Sequence, residues 1–404
     1  MADKGYRLYG YRWVVLAVIM LVNLTLQILW ISYAPIVTAA GQFYGVSDTQ
    51  IAALAVTSWL IAYLVLSIPA SWAIDTYGIY LTVGLGAILM AVFGVLRGFA
   101  VNYTQVFWMT AGIAIAQPFL LNSWTKFAAH WFGMNDRATI VGLVTLSNLV
   151  GIAIGEAVPP VLLQGGMAIQ TQQLIFGVVA AVSTLLFLLL ARDKPPTPPC
   201  PPGQDARSVM FDGLKHALTV KDFWLLIFIA FVVLAIFNGV SSLVEDIILP
   251  RGFTSTDAGT LGALIVVGSI LGSVGLSYLS DKQRKRRRFI FLGILLAIPG
   301  MLGITYATSS WLLMLSGFWL GFFLVGIAPV GFQYGAEIVH PTPEGTSNGL
   351  IQLFGQTSIG FFYLMVAMKS SNGSFTASLL LAIGLLMISL LVITQMKDPV
   401  WVKE

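Results

Sequence analysis

Two adjacent acids, Glu245 and Asp246, stand near the end of a run that is otherwise almost wholly apolar, NGVSSLVEDIILPRG at 238–252. A third, Glu156, follows Gly155 in SNLVGIAIGEAVPP. In water these side chains would be ordinary; inside a membrane they are costly, which makes them functional candidates. The same argument selects Trp30 and Tyr33 in the first apolar run, together with Asn23, Thr25 and Gln27. It selects Gln117 and Asn122 in the fourth, and Asn348, Gln352 and Gln356 in the eleventh. The last three are four apart and form one polar stripe on a helix, which belongs against a cavity or a neighbouring helix. Amides and an indole ring can hold a polar or cationic small molecule. The histidines, His130, His216 and His340, lie in or beside loops, and none has the Cys or carboxylate spacing of a metal site. No glycine-rich phosphate loop is present. The sequence therefore predicts no enzyme, no metal, no cofactor and no ATP hydrolysis.

What these residues can do depends on the elements that carry them. The 404-residue chain is 57% hydrophobic and 9% charged, with a mean hydropathy of +0.88. A soluble domain carries about 25% charged residues, so there is too little polar surface here to cover a globule in water. Apolar runs fall at 13–36, 50–71, 80–98, 104–128, 138–162, 171–191, 222–248, 257–278, 288–306, 310–335, 346–368 and 374–396. About 20 apolar residues cross a ~30 Å hydrocarbon core, and runs of this length without strict alternation argue helices over a barrel. The first run, from Trp13, is long enough to span and to act as its own insertion signal. The single cysteine, Cys200, lies in KPPTPPCPPG and has no internal disulfide partner. The expected fold is an all-α integral membrane protein with twelve transmembrane helices. Two six-helix halves, 1–191 and 222–404, flank a cytoplasmic linker at 192–221 that is rich in proline and charge.

Orientation follows from the 21 Lys and Arg. With an even number of spans, all but Arg97, Arg251 and Lys369 fall on the side of the two termini. That asymmetry makes this side cytoplasmic and predicts a multi-pass protein of the cell membrane. The net charge of +4 is small and its basic residues are clustered in loops. The partners expected are a small-molecule substrate and the lipid bilayer, with no nucleic acid, and the protein is expected to be a monomer.

Heights can be estimated at 1.5 Å per residue. If the seventh span enters from the cytoplasm near Phe223, Asn238 lies roughly 22 Å up and Glu245 about 33 Å up. Glu245 and Asp246 are then expected at the outer mouth. They either join Glu156 in an anionic vestibule or gate that concentrates a cation, or pair with Arg251. Glu156 is expected near the outer rim, where a carboxylate is open to water. Gly151 and Gly155, four apart, allow close helix contact, and Pro159 and Pro160 bend the outer end of that span. Trp30 suits either an interfacial belt or a cavity wall.

SWAIDTYG, with Asp75 and Gly78, and LSYLSDKQRKRRR, with Asp281, follow the second helix of each half. Six spans plus six, with an acidic cytoplasmic turn at this place in each half, resemble the major facilitator fold. The fold's pattern there is a glycine, three residues, Asp, a basic residue, then Gly and more basics. The first copy has Ser71 for the glycine and lacks the basics. The second keeps Asp281 and the basics but lacks both glycines. An Asp at a helix end pairs with a neighbouring helix terminus or a basic side chain. Asp75, Gly78 and Asp281 are therefore expected in a cytoplasmic latch, a plain topogenic turn being the alternative.

Within that fold, GFQYGAEIVHPTPEGTSNGLIQLFGQ (331–356) resembles the span 10–11 region of the feline leukaemia virus subgroup C receptor family, solute carrier family 49. WISYAPIVTAAGQFYGVSDTQIAAL, SIPASWAIDTYGIYLT and SNLVGIAIGEAVPPVLL resemble the same family. So does the spacing from Gln117 to Trp131-Phe132-Gly133. The resemblance covers most of the transmembrane chain and is most specific at 331–356. It implies a facilitator for choline and ethanolamine, with haem also proposed as a substrate, working by alternating access. In that family aromatics from spans 1 and 7 enclose a quaternary ammonium, and glutamines from spans 4 and 11 line the cavity. The matching positions are Trp30, Gln117 and Gln356. The span 7 aromatic falls on Asn238, with Phe237 beside it, so one face of the cage is missing and cation–π attraction is halved. Glu156 also stands where the family suggests an apolar residue. The expected substrate site comprises Trp30, Gln117, Asn238 and Gln356, with Asn122, Tyr33 and Gln352 near them. A transporter of an organic anion or drug-like solute, haem-like ones included, is the alternative. A non-transporting receptor is the remaining one, and no loop here is long enough for the soluble domain it would need.

Overall fold

The computed structural model describes residues 7–133, 136–199, 210–340, 342 and 344–398. Among them it contains twelve helical stretches long and apolar enough to cross a membrane. The chain divides into two compact units, Met1–Asp205 and Ala206–Glu404. The first holds α1 (Arg12–Tyr44), α2 (Asp48–Ser67), α3 (Ile79–Arg97), α4 (Tyr103–Leu121), α5 (Thr139–Gln164) and α6 (Ile169–Leu190). The second holds α7 (Lys221–Ser242), α8 (Ser255–Gln283), α9 (Arg286–Tyr306), α10 (Ser310–Ile338), α11 (Gly349–Lys369) and α12 (Thr376–Gln395).

Hydropathy alone smooths over the breaks in these spans, and the breaks position the polar residues. The regular helix of α1 ends at Ile31, passes through a 3-10 turn at Ala34–Ile36 that contains Pro35, and resumes as Val37–Tyr44. Proline lacks the N–H that would continue the ladder, which accounts for the break. The span therefore outlasts the predicted run at 13–36 by several residues. The second span starts at a capping box made by Ser47 and Gln50. It contains a π turn, Leu54–Ser58, and continues as the helix Trp59–Tyr77. The fourth run is not one helix to 128: α4 stops at Leu121, and Trp124–Trp131 forms a separate helix. Likewise α11 is interrupted at Thr357–Ser358, between the helices Glu344–Gln356 and Ile359–Asn372.

Small residues set the spacing of the packed helices. In the first unit α5 lies on α1: a Cβ on Gly151 would fall on the carbonyl of Leu24, and one on Gly155 on the side chain of Ile31. This is the close contact that the glycine spacing predicts. In the second unit Gly272 of α8 lies against the backbone of Phe322, and Gly321 of α10 against that of Ile265. There α10 forms another π turn, Gly321–Val325.

The segment after α6 begins as a fastening rather than as free linker. Asp193 caps α3: its carboxylate accepts from the backbone N–H of Ile79 (2.5 Å) and Tyr80 (3.2 Å). Gly78, at φ +88°, lets the carboxylate approach, since a Cβ there would strike Asp193 Oδ1. Thr197 bonds the Tyr9 hydroxyl at 3.0 Å. Further along, Met210–Thr219 is helical; Cys200 lies outside the described residues. An acceptor at a helix N-terminus contributes about 0.5–2 kcal/mol. Asp193→Ala should therefore lower the midpoint of thermal unfolding in detergent, and Asp193→Asn, which keeps an acceptor, should recover most of the loss. Equal midpoints for all three proteins would remove the cap from the account of α3.

Candidate functional site

The first unit supplies Trp30, Tyr33, Gln117 and Asn122, and the structure gives them different surroundings. Trp30, half-buried, lies one residue before the regular helix of α1 ends. Its indole N–H donates to the carbonyl of Ala55, inside the π turn of α2, at 2.6 Å. Its ring meets Trp59 edge-on at 6.3 Å between centroids. The indole is thus fixed by a hydrogen bond and an aromatic neighbour, both from the second span. Gln117 is buried, at 8% exposure, and its Oε1 has no hydrogen-bond partner.

Asn122 and Tyr33 are differently occupied. Asn122 Nδ2 lies 3.0–3.1 Å from the carbonyl of Ser67 and the hydroxyls of Ser67 and Ser71, while its Oδ1 accepts from Tyr63 at 3.0 Å. It braces the end of α4 against the second span. Tyr33 is buried, with its hydroxyl 3.0 Å from that of Tyr44 and its ring 5.2 Å beneath the Arg97 guanidinium. Arg97 donates to the carbonyl of Leu29 (2.9 Å) and the hydroxyl of Ser32 (3.2 Å). A cation thus sits at the C-terminus of a helix, where the dipole favours it. Arg97 looked like an ordinary outer-loop cation; its burial was not legible in sequence.

In the second unit Asn238 of α7, half-buried, donates to Ser358 Oγ at 3.5 Å. It therefore faces the break in α11, directly after Gln356, the last residue of the preceding helix. Gln352 lies one turn earlier and, like Gln356, is half-buried. Phe237 is buried. Ser358, which the sequence reading passed over, joins the two elements.

The acids depart most from expectation. Glu156 was expected near a wet rim. It is 0% exposed, and neither carboxylate oxygen has a hydrogen-bond partner. Glu245 and Asp246 were expected in water at the end of a straight helix. They are 0% and 5% exposed, because α7 ends at Ser242 and a short separate helix, Val244–Ile248, carries both acids inward. The Ser255 hydroxyl donates to Glu245, and Lys369 at the end of α11 donates to Asp246 at 2.8 Å. Arg251 is not their partner. Its guanidinium donates to the carbonyls of Ile304 and Ala307 at the end of α9. Lys369, grouped in sequence with Arg97 and Arg251 by side alone, is the cation that matters here.

Of the expected latch residues, the Asp75 side chain lies outside the described ones, and Gly78 admits the Asp193 cap. Asp281 pairs with Arg286 at the start of α9, which also reaches Glu337 near the end of α10 at 3.2 Å. One guanidinium thus joins three helix ends in the second unit. Among the described residues no group of His, Cys, Asp and Glu could hold a metal ion.

A model of the Major Facilitator Superfamily matches residues 15–363 and also 244–401. Solute carrier family 49 member A3 of Xenopus tropicalis is 30% identical, over 90% of this chain and 79% of its own. The choline/ethanolamine transporter flvcr2a of Danio rerio is 28% identical, over 95% and 86%. Among solved structures, a bacterial homologue of the human lysosomal transporter Spinster, inward-facing and unoccupied, superposes with a TM-score of 0.72. It is 17% identical and covers 95% of this chain and 96% of that one. The human organic anion transporter MFSD10 gives 0.70 at 14% identity, over 95% and 99%. At such identities these two structures bear on the fold alone.

Proposed function

Because the chain belongs to the major facilitator superfamily, and is thus a multi-pass membrane transporter, we propose that it catalyses no chemistry and carries a small organic amine of the choline or ethanolamine type by alternating access. Similarity to transporters named for choline and ethanolamine supports that substrate class. The observation that carries the reading is Trp30. An indole at the break of α1, half-buried and fixed through its N–H, keeps a π face for an ammonium group at little conformational loss. Gln117 adds a buried acceptor without a partner, suited to a hydroxyl or primary ammonium. In the second unit Asn238, Gln352 and Gln356 offer amides suited to the same class of solute; in the first, Asn122 is held by Ser67, Ser71 and Tyr63, and Tyr33 by Tyr44. Asn238 in place of a second aromatic favours smaller and more polar amines. Asp246, paired with Lys369, and Glu245, which accepts from Ser255, act as an outer gate, and Asp75, Gly78 and Asp281 belong to the cytoplasmic latch. Both termini are cytoplasmic and the membrane is that of the cell surface. The protein works as a monomer without a cofactor or nucleic acid.

Uptake of labelled choline, ethanolamine and an organic carboxylate into proteoliposomes tests the reading. A desolvated cation–π contact is worth up to about 2 kcal/mol, or roughly 30-fold in affinity. Trp30→Ala should weaken amine uptake by an order of magnitude or more, and Trp30→Phe by less. Preference for the carboxylate would favour the organic-anion alternative. Unchanged amine uptake by Trp30→Ala would return Trp30 to a packing role.

A further inference from the structure

The end of the first unit that carries the N-terminus has a recess that amine transport does not use. There the chain entering α1 and the chain leaving α6 lie side by side. The Tyr11 hydroxyl donates to the carbonyl of Leu190 at 2.7 Å, the Tyr9 hydroxyl meets that of Thr197, and the Arg7 N–H donates to the carbonyl of Pro198 at 3.1 Å. Between these segments and the helix Trp124–Trp131 is a pocket of about 350 Å³, lined by Tyr9, Tyr11, Trp131, Arg192, Lys194 and Pro196. That volume is in the range of small-molecule sites.

Its polar groups suit an anion. Trp131 is 4% exposed, and its indole N–H has no acceptor, whereas a buried indole N–H usually finds one. Its ring lies against that of Tyr11, with centroids 6.4 Å apart. Arg192 uses Nη1 on the carbonyls of Leu189 and Ala191, which leaves Nε and Nη2 for another acceptor. Lys194 is exposed. Among the described residues neither cation pairs with a carboxylate. Asp193, between them in sequence, is turned to the N-terminus of α3. A neutral donor and two cations therefore meet in one recess with no carboxylate among its lining residues.

The setting selects a lipid. Tyr11 immediately precedes α1 and Leu190 is the last residue of α6, so the recess opens at the depth where two spans leave the bilayer. Leu8, Tyr11 and Trp13 beside it are 47%, 39% and 50% exposed. Aromatic rings favour that depth, and a soluble anion gains nothing from an apolar rim. We infer that this recess binds the phosphorylated headgroup of an anionic phospholipid, in the leaflet on the side of the two termini. The inference needs the chain to span a membrane and is independent of which solute it carries. The Trp131 N–H and the Arg192 fork take phosphate oxygens, and Lys194 adds charge. With the termini cytoplasmic, that leaflet is the anionic one, and basic pockets between spans on this side hold such headgroups. A bound headgroup also bridges the start of α1 to the end of α6, which reinforces the join made by Tyr9 and Tyr11.

Native mass spectrometry of the full chain in detergent, with no transported solute present, tests this. The probe is a dioctanoyl phosphatidylinositol phosphate. Free inositol bisphosphate carries its headgroup without acyl chains, and dioctanoylglycerol the chains without phosphate. The wild type should retain one phosphorylated lipid per chain. Arg192→Gln combined with Lys194→Gln should bind it at least about tenfold more weakly, the size of losing a charged hydrogen bond. Trp131→Phe, which keeps a ring but not the N–H, should bind it severalfold more weakly. Because that N–H has no protein partner, Trp131→Phe should keep the lipid-free thermal midpoint and lose most of the upward shift that the lipid gives the wild type. Equal retention by the wild type and the double variant would overturn the site. So would retention of dioctanoylglycerol at the level of the phosphorylated lipid. Inositol bisphosphate bound as tightly as the lipid would overturn the lipid assignment and make a soluble phosphate the ligand.

Discussion

Lys369→Met is expected to lower the thermal midpoint of the purified protein by several degrees, and adding Asp246→Asn to it should restore most of the loss. Lys369 Nζ lies 2.8 Å from Asp246 Oδ1. The acid side is almost fully buried, and Glu245 is next to it in sequence at 0% exposure. Removing one member of a buried pair costs about 3–5 kcal/mol, because the other charge stays behind uncompensated. The Lys369 side chain keeps 29% of its exposure, so solvent relieves part of that, and about 2 kcal/mol is the expected size. Met keeps the length of the side chain but loses the ammonium that lies over the Phe375 ring, 4.9 Å from its centroid, so the single loss includes that contact as well as the ion pair. The double variant closes a mutant cycle whose coupling should be a large fraction of the single loss. A double variant less stable than either single would break the link between the two groups.

The second large effect lies in the contact of α8 with α10. Gly272→Leu should yield no folded protein, and Gly272→Ala should cost about 3 kcal/mol, the upper end for overpacked sites. A Cβ on Gly272 would fall on the carbonyl oxygen of Phe322, with the carbonyl carbon at 2.8 Å. These are backbone atoms and cannot rotate away as a side chain can. Gly275, one turn on in the same helix, is the control: its nearest neighbour is the ring tip of Phe322 at 3.9 Å, an ordinary contact, so Gly275→Ala should be tolerated. Size-exclusion profiles after a temperature ramp would separate the two. Matching profiles for Gly272→Ala and Gly275→Ala would refute the steric account.

The spans were legible because lipid leaves a chain few choices: a run of about 20 apolar residues must satisfy its backbone internally, and a helix does so. Gly151 and Gly155 were legible for a similar reason, since four-residue spacing of small residues has one common use. The fate of Glu245 and Asp246 was not. A straight helix would put them at the outer mouth, and nothing in FNGVSSLVED announces the break after Ser242. Proline marks the break in α1 but not those in α7 and α11, which depend on tertiary contacts such as Lys369 with Asp246 and Asn238 with Ser358. Asp193 was hidden for another reason. Its role depends on a helix more than a hundred residues earlier, and a carboxylate in a basic, proline-rich stretch reads as solvated charge. Trp30 was legible through resemblance, whereas its acceptor at Ala55 was not, because a backbone carbonyl leaves no mark in the sequence.

The π turn at Leu54–Ser58 sets how the two ends of the second span are phased. A π turn is one residue wider than the α-helix around it, and one residue is about 100° of rotation. A helical wheel drawn from Asp48 therefore loses its phase at Leu54. Tyr63, Ser67 and Ser71, which meet Asn122, belong to a separate wheel that starts at Trp59. Removing a single codon within the turn would re-clock everything downstream, turning that serine ladder away from Asn122 and withdrawing the Ala55 carbonyl from Trp30. The span is two helices in series with a fixed gear offset, and the extra residue sets the tooth on which they mesh.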